Sequence, residues 1–355
     1  MIDMKRTFSL LLTVCLVSIN SFAYGPRGHH LVGAIADRRL AKNKAVAKKV
    51  RRLLDGLTLQ QVATFPDEIK SWDKCKQQTP EQVTTDKRIR NELRAFVNAN
   101  KCNTDRYHGN FHFTDVPIFD GKNYENTDVG REPFDIVQTI NFCVRVLKGE
   151  EPQTNDRKIT KTVAVILLAH YFGDIHQPLH VGAEYFDGPK PFKPDGPFTP
   201  FDPSPADKGF ADQGGNKLTL FTFVGNTLTP MQGNFHGYWD STAVNNALAG
   251  TSDIAEAKKL SAAQPANWKL NGDPETWAEQ MADDILPLAR EAHQRLEFEK
   301  IVVASSAAHD ITSGNAKEIK TSSGKPYAKW SAGVVESEIQ KGGWRLAALL
   351  EAALQ

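Results

Sequence analysis

His170 and Asp174 stand four residues apart in His170-Tyr-Phe-Gly-Asp174, and His236-Gly-Tyr-Trp-Asp240 repeats the interval. On a helix this spacing puts an imidazole and a carboxylate on one face. His180 follows the first pair, after Gln177-Pro178-Leu179. The surroundings are apolar: Val163–Ala169 precedes the first pair, and Phe235 and Trp239 flank the second. An ionised carboxylate there is costly unless partnered, and a metal ion removes that cost. One His-x-x-x-Asp pair alone more often decorates a helix surface. Two such pairs with a further histidine nearby point to metal ligation. Nitrogen and oxygen donors without thiolate favour zinc at a hydrolytic site, with manganese and iron left open by donor type.

Such side chains need helices to hold them, and the sequence supplies the pattern. Leu31, Ile35 and Leu40 recur at helical intervals over Gly28–Ala41. A basic amphipathic helix is predicted over Lys44–Leu57, and an apolar stripe of Phe134, Val137, Ile140 and Val144 over Pro133–Leu147. Lys158–Phe172 is apolar almost throughout, which predicts a buried central helix. Pro274–Glu299 and Trp330–Leu354 read as two more long helices. The best strand is Leu218–Val224, an expected arm of a short hairpin. No repeat of 20–50 residues is visible. The fold class expected is therefore mainly α, a helical bundle with a short β-hairpin. Asp187–Ala206 contains seven prolines and cannot be a helix or a central strand. It is either an interdomain linker or a long surface loop beside the site, and its flanking metal-type residues favour the loop.

At 355 residues, 40% apolar and 24% charged, the chain has ordinary globular composition, which excludes disorder and multiple membrane spans. A formal charge of +1 argues against a protein that grips duplex nucleic acid with a basic surface alone. Met1–Ala23 has a basic start, an apolar run over Phe8–Ile19 and a small-residue end, the pattern of an export signal. The run is too short for a transmembrane helix. The expected products are a signal peptide over 1–23, one domain over 24–355, and an exported protein, periplasmic or extracellular. Cys75, Cys102 and Cys143 remain after cleavage, enough for one disulfide and one thiol. Cys75 and Cys102 share a loop-rich stretch and are the first expectation for the pair.

Cleavage after Ala23 would start the chain at Tyr24-Gly-Pro-Arg-Gly-His29. A free α-amine and its carbonyl can chelate a metal ion, and His29 could complete that site. Here the sequence resembles the zinc-dependent phospholipase C and single-strand nuclease superfamily, and specifically its nuclease branch. The densest matches are His170–His180, Asp212-Gln-Gly-Gly-Asn216 and Asn234–Asp240, in that order, and the likeness runs from Tyr24 to the C-terminal GGWRLAALLEAAL.

The resemblance implies a mostly helical domain with three zinc ions in a cleft. Carried over by motif, the Tyr24 main chain, His29 and Asp174 match one zinc site. Asp67, His112, His170 and Asp174 match a second, with Asp174 bridging. His180, His236 and Asp240 match the third. Phe113 and Asp115 match the base-binding pair, an aromatic for stacking and a carboxylate for the base edge. Stacking tolerates any base but requires an unstacked one, so single strands are the implied partner. Asp67 and Lys70 match the catalytic positions: Asp67 would orient the attacking water and Lys70 would neutralise charge on the phosphate. His30, His108, His176, His293 and His309 are left as structural or surface residues.

The phospholipase branch has Glu where Asp240 stands and its first histidine farther from the N-terminus, so both features here favour the nuclease. Two positions depart from the family pattern. Tyr24 stands where Trp is usual, and Lys70 where Arg is usual, a point charge in place of a bidentate fork. The implied activity is zinc-dependent hydrolysis of single-stranded DNA and RNA to 5′-nucleotides, with 3′-nucleotidase activity in the same site. Bound zinc would give a neutral protein the positive charge to hold a polyanion. A monomer is the expected state. The rival readings are a zinc-dependent phospholipase C and a non-catalytic zinc-binding protein.

Overall fold

A helix with no polar face, Lys161–Asp174, runs through the middle of the molecule. Thr160 caps it by accepting the Val163 N–H, and its residues from Thr162 to Asp174 are buried. The computed structural model describes residues 24–73, 75, 79–320 and 324–355. The proposed signal peptide over 1–23 lies outside the described residues.

Around the central helix pack Gly25–Leu40, Lys87–Ala99, Ile136–Lys148 and the C-terminal Tyr327–Ala353. Asp253–Ala262 and Trp277–Gln294 lie against their outer faces. Leu31, Ile35, Val137, Ile140, Ile166, Leu346 and Leu350 belong to one continuous core. Burying each such side chain contributes on the order of 1.5–3 kcal/mol. The chain is mainly helical, as its periodicity predicts. Among the described residues no helix is long and apolar enough to cross a membrane.

Helix ends differ from expectation for local reasons. The first helix begins at Gly25, not Gly28, because Pro26 suits an opening turn. The third expected helix starts only at Ile136, where Asp135 accepts the Gln138 N–H at 3.0 Å, and stops at Gly149, whose φ is +87°. Helix Lys44–Leu53 ends four residues early. The stretch expected as helix to Glu299 leaves that state after Gln294 and continues as the strand Leu296–Val302. That strand finds an antiparallel partner in Ser313–Glu318, and Phe298 packs edge-on against Phe186. Long-range pairing decides there, and helical spacing alone does not reveal it.

The expected hairpin is present, Leu218–Val224 pairing antiparallel with Thr227–Pro230. It is half of a four-stranded sheet that Ser313–Glu318 and Leu296–Val302 complete. The proline-rich segment is a surface loop. Thr199–Pro200 turns back to pair with Tyr185–Asp187, and the Val303 N–H donates to the Pro194 carbonyl. Cys75 and Cys102 form a disulfide, and Cys143 is a buried thiol.

Candidate metal centre and cleft

The C-terminal turn of the central helix presents His170 and Asp174 to three neighbouring turns. His29 comes from the first helix, His112 from the 3-10 turn His108–His112, and Asp67 from the short helix Phe65–Glu68. The Asp174 carboxylate faces two ways. Its Oδ1 is 3.3 Å from His29 Nε2, while its Oδ2 is 2.8 Å from His112 Nδ1 and 3.1 Å from His170 Nε2. Asp67 Oδ1 stands 3.7 Å from both His112 Nδ1 and His170 Nε2. Lys70, one turn beyond Asp67, places Nζ 2.7 Å from the same oxygen. His29 and His170 stack with ring centroids 3.9 Å apart. This approach requires Gly173, because a Cβ there would lie 2.5 Å from His29 Nδ1.

A second group joins His180, His236 and Asp240. His180 ends the turn Pro178–His180. His236 sits in the turn Phe235–Gly237, and Asp240 in the π-helical turn Tyr238–Thr242 that follows. The four-residue interval therefore spans a widened turn, a geometry frequent at functional sites. His236 Nε2 is 3.5 Å from Asp240 Oδ2 and 3.0 Å from His180 Nε2.

The donor chemistry fits cations. His170, His180 and His236 each give Nδ1–H to a backbone carbonyl, of Ala63, His112 and Gly214 respectively, at 2.7–2.8 Å. That fixes the tautomer and turns a bare Nε2 toward the cluster. Two such lone pairs, on His180 and His236, cannot hydrogen-bond to each other, but both can bind a cation. Buried atoms without a hydrogen-bond partner gather at the same place: both ring nitrogens of His29, Asp67 Oδ2, His112 Nε2, Asp174 Oδ1 and Asp240 Oδ2.

Burial sets the protonation preferences. It holds His29, His112 and His180 well below the usual imidazole value and pushes His236 down to about 4. Burial also opposes charge on His170, but the Asp174 and Asp67 carboxylates reverse this and raise it. Desolvation drives Asp174 and Asp240 upward, so ionised carboxylates here need a positive partner.

Lys70, His112, His180 and His236 line a cavity of about 270 Å³, with Phe113 and Asp115 beside them. Both of the latter are half-buried, so Phe113 is not a core aromatic. Tyr24 is buried at the head of the first helix. Its hydroxyl donates to the His176 carbonyl, and its own carbonyl accepts the Gly28 N–H at 2.9 Å. Gly25 abuts the Asp240 main chain. Of the five histidines left over, His176 and His293 are buried and bonded to Arg345 and Asp212, His108 is buried, His30 is half-exposed and His309 is exposed.

Sequence reasoning assigned no role to Gln177, Gln213, Asn216 or Asp212. Gln177 Nε2 donates to Asp240 Oδ1 at 2.9 Å, and its Oε1 accepts the Leu179 N–H. Gln213 and Asn216 line the cavity. Asp212 accepts the Glu184 N–H and lies 3.0 Å from His293 Nε2, anchoring the segment whose Gly214 carbonyl orients His236. The signal was present in Asp212-Gln-Gly-Gly-Asn216, but its work is done by main-chain geometry.

A family model described as S1/P1 nuclease matches residues 24–355. The chain belongs to the S1/P1 nuclease family. Among its relatives, endonuclease 4 of Arabidopsis thaliana is 23% identical over 248 residues, covering 69% of this chain and 64% of that protein. Endonuclease 3 of the same plant is 25% identical over 244 residues, covering 68% and 60%. The aligned stretch thus spans less than two thirds of either relative. Within this S1/P1 nuclease the described clusters of histidine and carboxylate side chains are ones that could hold metal ions.

Proposed function

We propose that the chain is an exported hydrolase of phosphodiester bonds that cuts single-stranded DNA and RNA to 5′-nucleotides, with 3′-nucleotidase activity in the same site. The observation that carries this reading is the buried Asp174 carboxylate, whose two oxygens face different histidines, one of which, His112, lines a cavity that has Phe113 on its wall. The names of the Arabidopsis relatives support the same reaction class.

Three zinc ions are the proposed cofactors. The main chain of Tyr24 with His29 and Asp174 would hold one, provided export cleavage frees its amine. Asp67, His112, His170 and Asp174 would hold a second, and His180, His236 and Asp240 the third. Bound there, zinc supplies Lewis acidity and a nucleophilic water near neutral pH. The chain's own side chains do the rest. Asp67 orients the attacking water through its carboxylate. Lys70, a quarter exposed at the cavity wall, offers a positive charge to the phosphate. Phe113 stacks on an unpaired base and Asp115 meets its edge, which selects single strands because a paired base cannot leave its neighbours without cost.

The test is digestion of single-stranded and duplex DNA by purified protein beginning at Tyr24, with and without a zinc chelator. Phosphatidylcholine serves as the control substrate. Chelator-sensitive cutting of the single strand to 5′-nucleotides is expected. Lipid cleavage without nucleic-acid cleavage would overturn the reading in favour of a phospholipase, and zinc binding with no turnover of either would favour a non-catalytic protein.

A further inference from the structure

The cleft does not end at Phe113. That residue and Asp115 also line a second cavity of about 420 Å³, which Tyr185, Lys208, His309 and Asp310 share. Lys208 and His309 in turn line a third, of about 510 Å³, beneath the proline-rich loop. Three neighbouring spaces that share lining residues therefore lie in a row from the metal-type side chains to the loop, and the outer two are each of a size that accepts a small organic ligand.

The ridge between the outer two cavities is a built feature. The Ala211 N–H donates to the His309 carbonyl and the Ile311 N–H to the Ala211 carbonyl, both at 2.9 Å. Gln213, which lines the metal cavity, donates to Asp310 Oδ2 at 2.7 Å. The ridge is thus tied to the segment that orients His236. On it, Lys208 and His309 are exposed, and among the described residues neither side chain has an ion-pair or hydrogen-bond partner. Lys190 differs, since Asp187 and Asp207 both lie 3.9 Å from its Nζ.

The charge pattern sorts the parts of a nucleotide. Asp115, Asp128, Glu132 and Asp310 line the middle cavity. Arg131 lines it too, but its guanidinium is committed to the Glu125 and Thr127 carbonyls and the Tyr124 ring. Carboxylates accept hydrogen bonds from base amino groups, so a phosphate is left to the unpartnered Lys208 ammonium, with the His309 imidazole on the same ridge as a hydrogen-bond donor. Beyond the ridge, Pro189, Pro191, Phe192 and Phe210 offer an apolar wall. A base can lie on such a wall without sequence selection.

We propose that the cavity beneath the proline-rich loop is an outer subsite for a single-stranded nucleic acid. Lys208 and His309 hold a backbone phosphate there, and the Pro189–Phe192 wall carries the next base. This rests on the nuclease reading and extends it to substrate length: a dinucleotide fills the inner cleft, and a longer strand reaches the ridge.

The experiment compares steady-state kinetics on a single-stranded dinucleotide and a hexanucleotide for the wild-type protein, the K208A/H309A double variant and Lys208→Arg. Wild type is expected to prefer the hexamer about tenfold in kcat/KM. The double variant loses about fivefold on the hexamer through KM, with a shallower salt dependence, while its dinucleotide kinetics stay within about twofold. Lys208→Arg keeps hexamer turnover. Unchanged dinucleotide turnover also shows that the variant is folded. Equal losses on both lengths, or none on the hexamer, overturn the subsite. A wild type that cuts both lengths equally well also overturns it and leaves the nuclease reading standing, whereas a wild type that cuts neither overturns that reading too.

Discussion

His180 Nε2 and His236 Nε2 lie 3.0 Å apart, and the Nδ1 atoms of the two rings are committed to the carbonyls of His112 and Gly214. Two acceptors held this close have no favourable arrangement without a cation. Replacing His236 by Ala should remove one zinc ion per chain, read by elemental analysis after dialysis, and lower kcat on single-stranded DNA by about a thousandfold, the scale of lost metal-assisted charge stabilisation. Full zinc content in His236→Ala would show that this group is a hydrogen-bonded core and not a metal site.

Gln177 separates positioning from ligation. It touches Asp240 through Nε2 and the Leu179 main chain through Oε1, and it is fully buried. Outer partners of metal ligands typically change affinity by about 10–100-fold. Gln177→Leu should weaken zinc binding by that factor in a competition titration with a chromophoric chelator. Activity should return when zinc is raised. Loss of activity that excess zinc does not restore would point to a folding defect.

The protonation preferences predict how the metal-free and zinc-bound proteins diverge with pH. His29, His112, His180 and His236 have depressed values in the fold, so the unfolded chain binds more protons. Their contribution is present above about pH 6.5 and is lost as the pH falls. Asp174 is raised to about 6, and Asp240 is raised as well. A raised carboxyl stabilises the fold below the ordinary carboxylate range, and that contribution is lost as pH rises through the folded value. Without metal the two trends oppose each other. Zinc needs neutral imidazoles and ionised carboxylates, so its binding releases protons. The zinc-induced rise in Tm should therefore grow between pH 5 and pH 7.5, measured by calorimetry with and without chelator. A rise independent of pH would contradict the proton release.

How much of this was legible depends on whether a local pattern carried it. The central helix was, because Val163–Ala169 leaves no polar face to expose. The pairs His170/Asp174 and His236/Asp240 were, because four-residue spacing has a direct meaning in a helix, although the second pair spans a π-turn. Asp67, His112 and His29 lie far from those pairs in sequence, and only family likeness brought them to the same place. The strand Leu296–Val302 was misread because its partner, Ser313–Glu318, has three small residues, Ser313, Gly314 and Ala316, and no strong strand signature of its own. Gln177 was passed over because an amide between two histidines looks like a spacer until its hydrogen bonds are seen. Lys208 and His309 were passed over for the same kind of reason: they are about a hundred positions apart, and they line the same cavities only because the main chain at Ala211 pairs with that of His309.

Gly214 offers the sharpest test of main-chain geometry. Its φ is +57°, and a Cβ there would fall 2.1 Å from the Leu179 carbonyl oxygen and 3.4 Å from His236 Nδ1. Gly233 also has a positive φ, +84°, but open space around its missing side chain. Left-handed strain alone costs about 1–2 kcal/mol in a non-glycine residue. Gly233→Ala should cost about that much in urea unfolding and leave activity intact. Gly214→Ala must pay the same strain and also displace either the Leu179 carbonyl, beside His180, or its own carbonyl, which orients His236. It should therefore be the less stable of the two and lose zinc from the His180–His236–Asp240 group. Equal stability and equal zinc content in the two variants would mean that the carbonyl of Gly214 does not set the His236 ring.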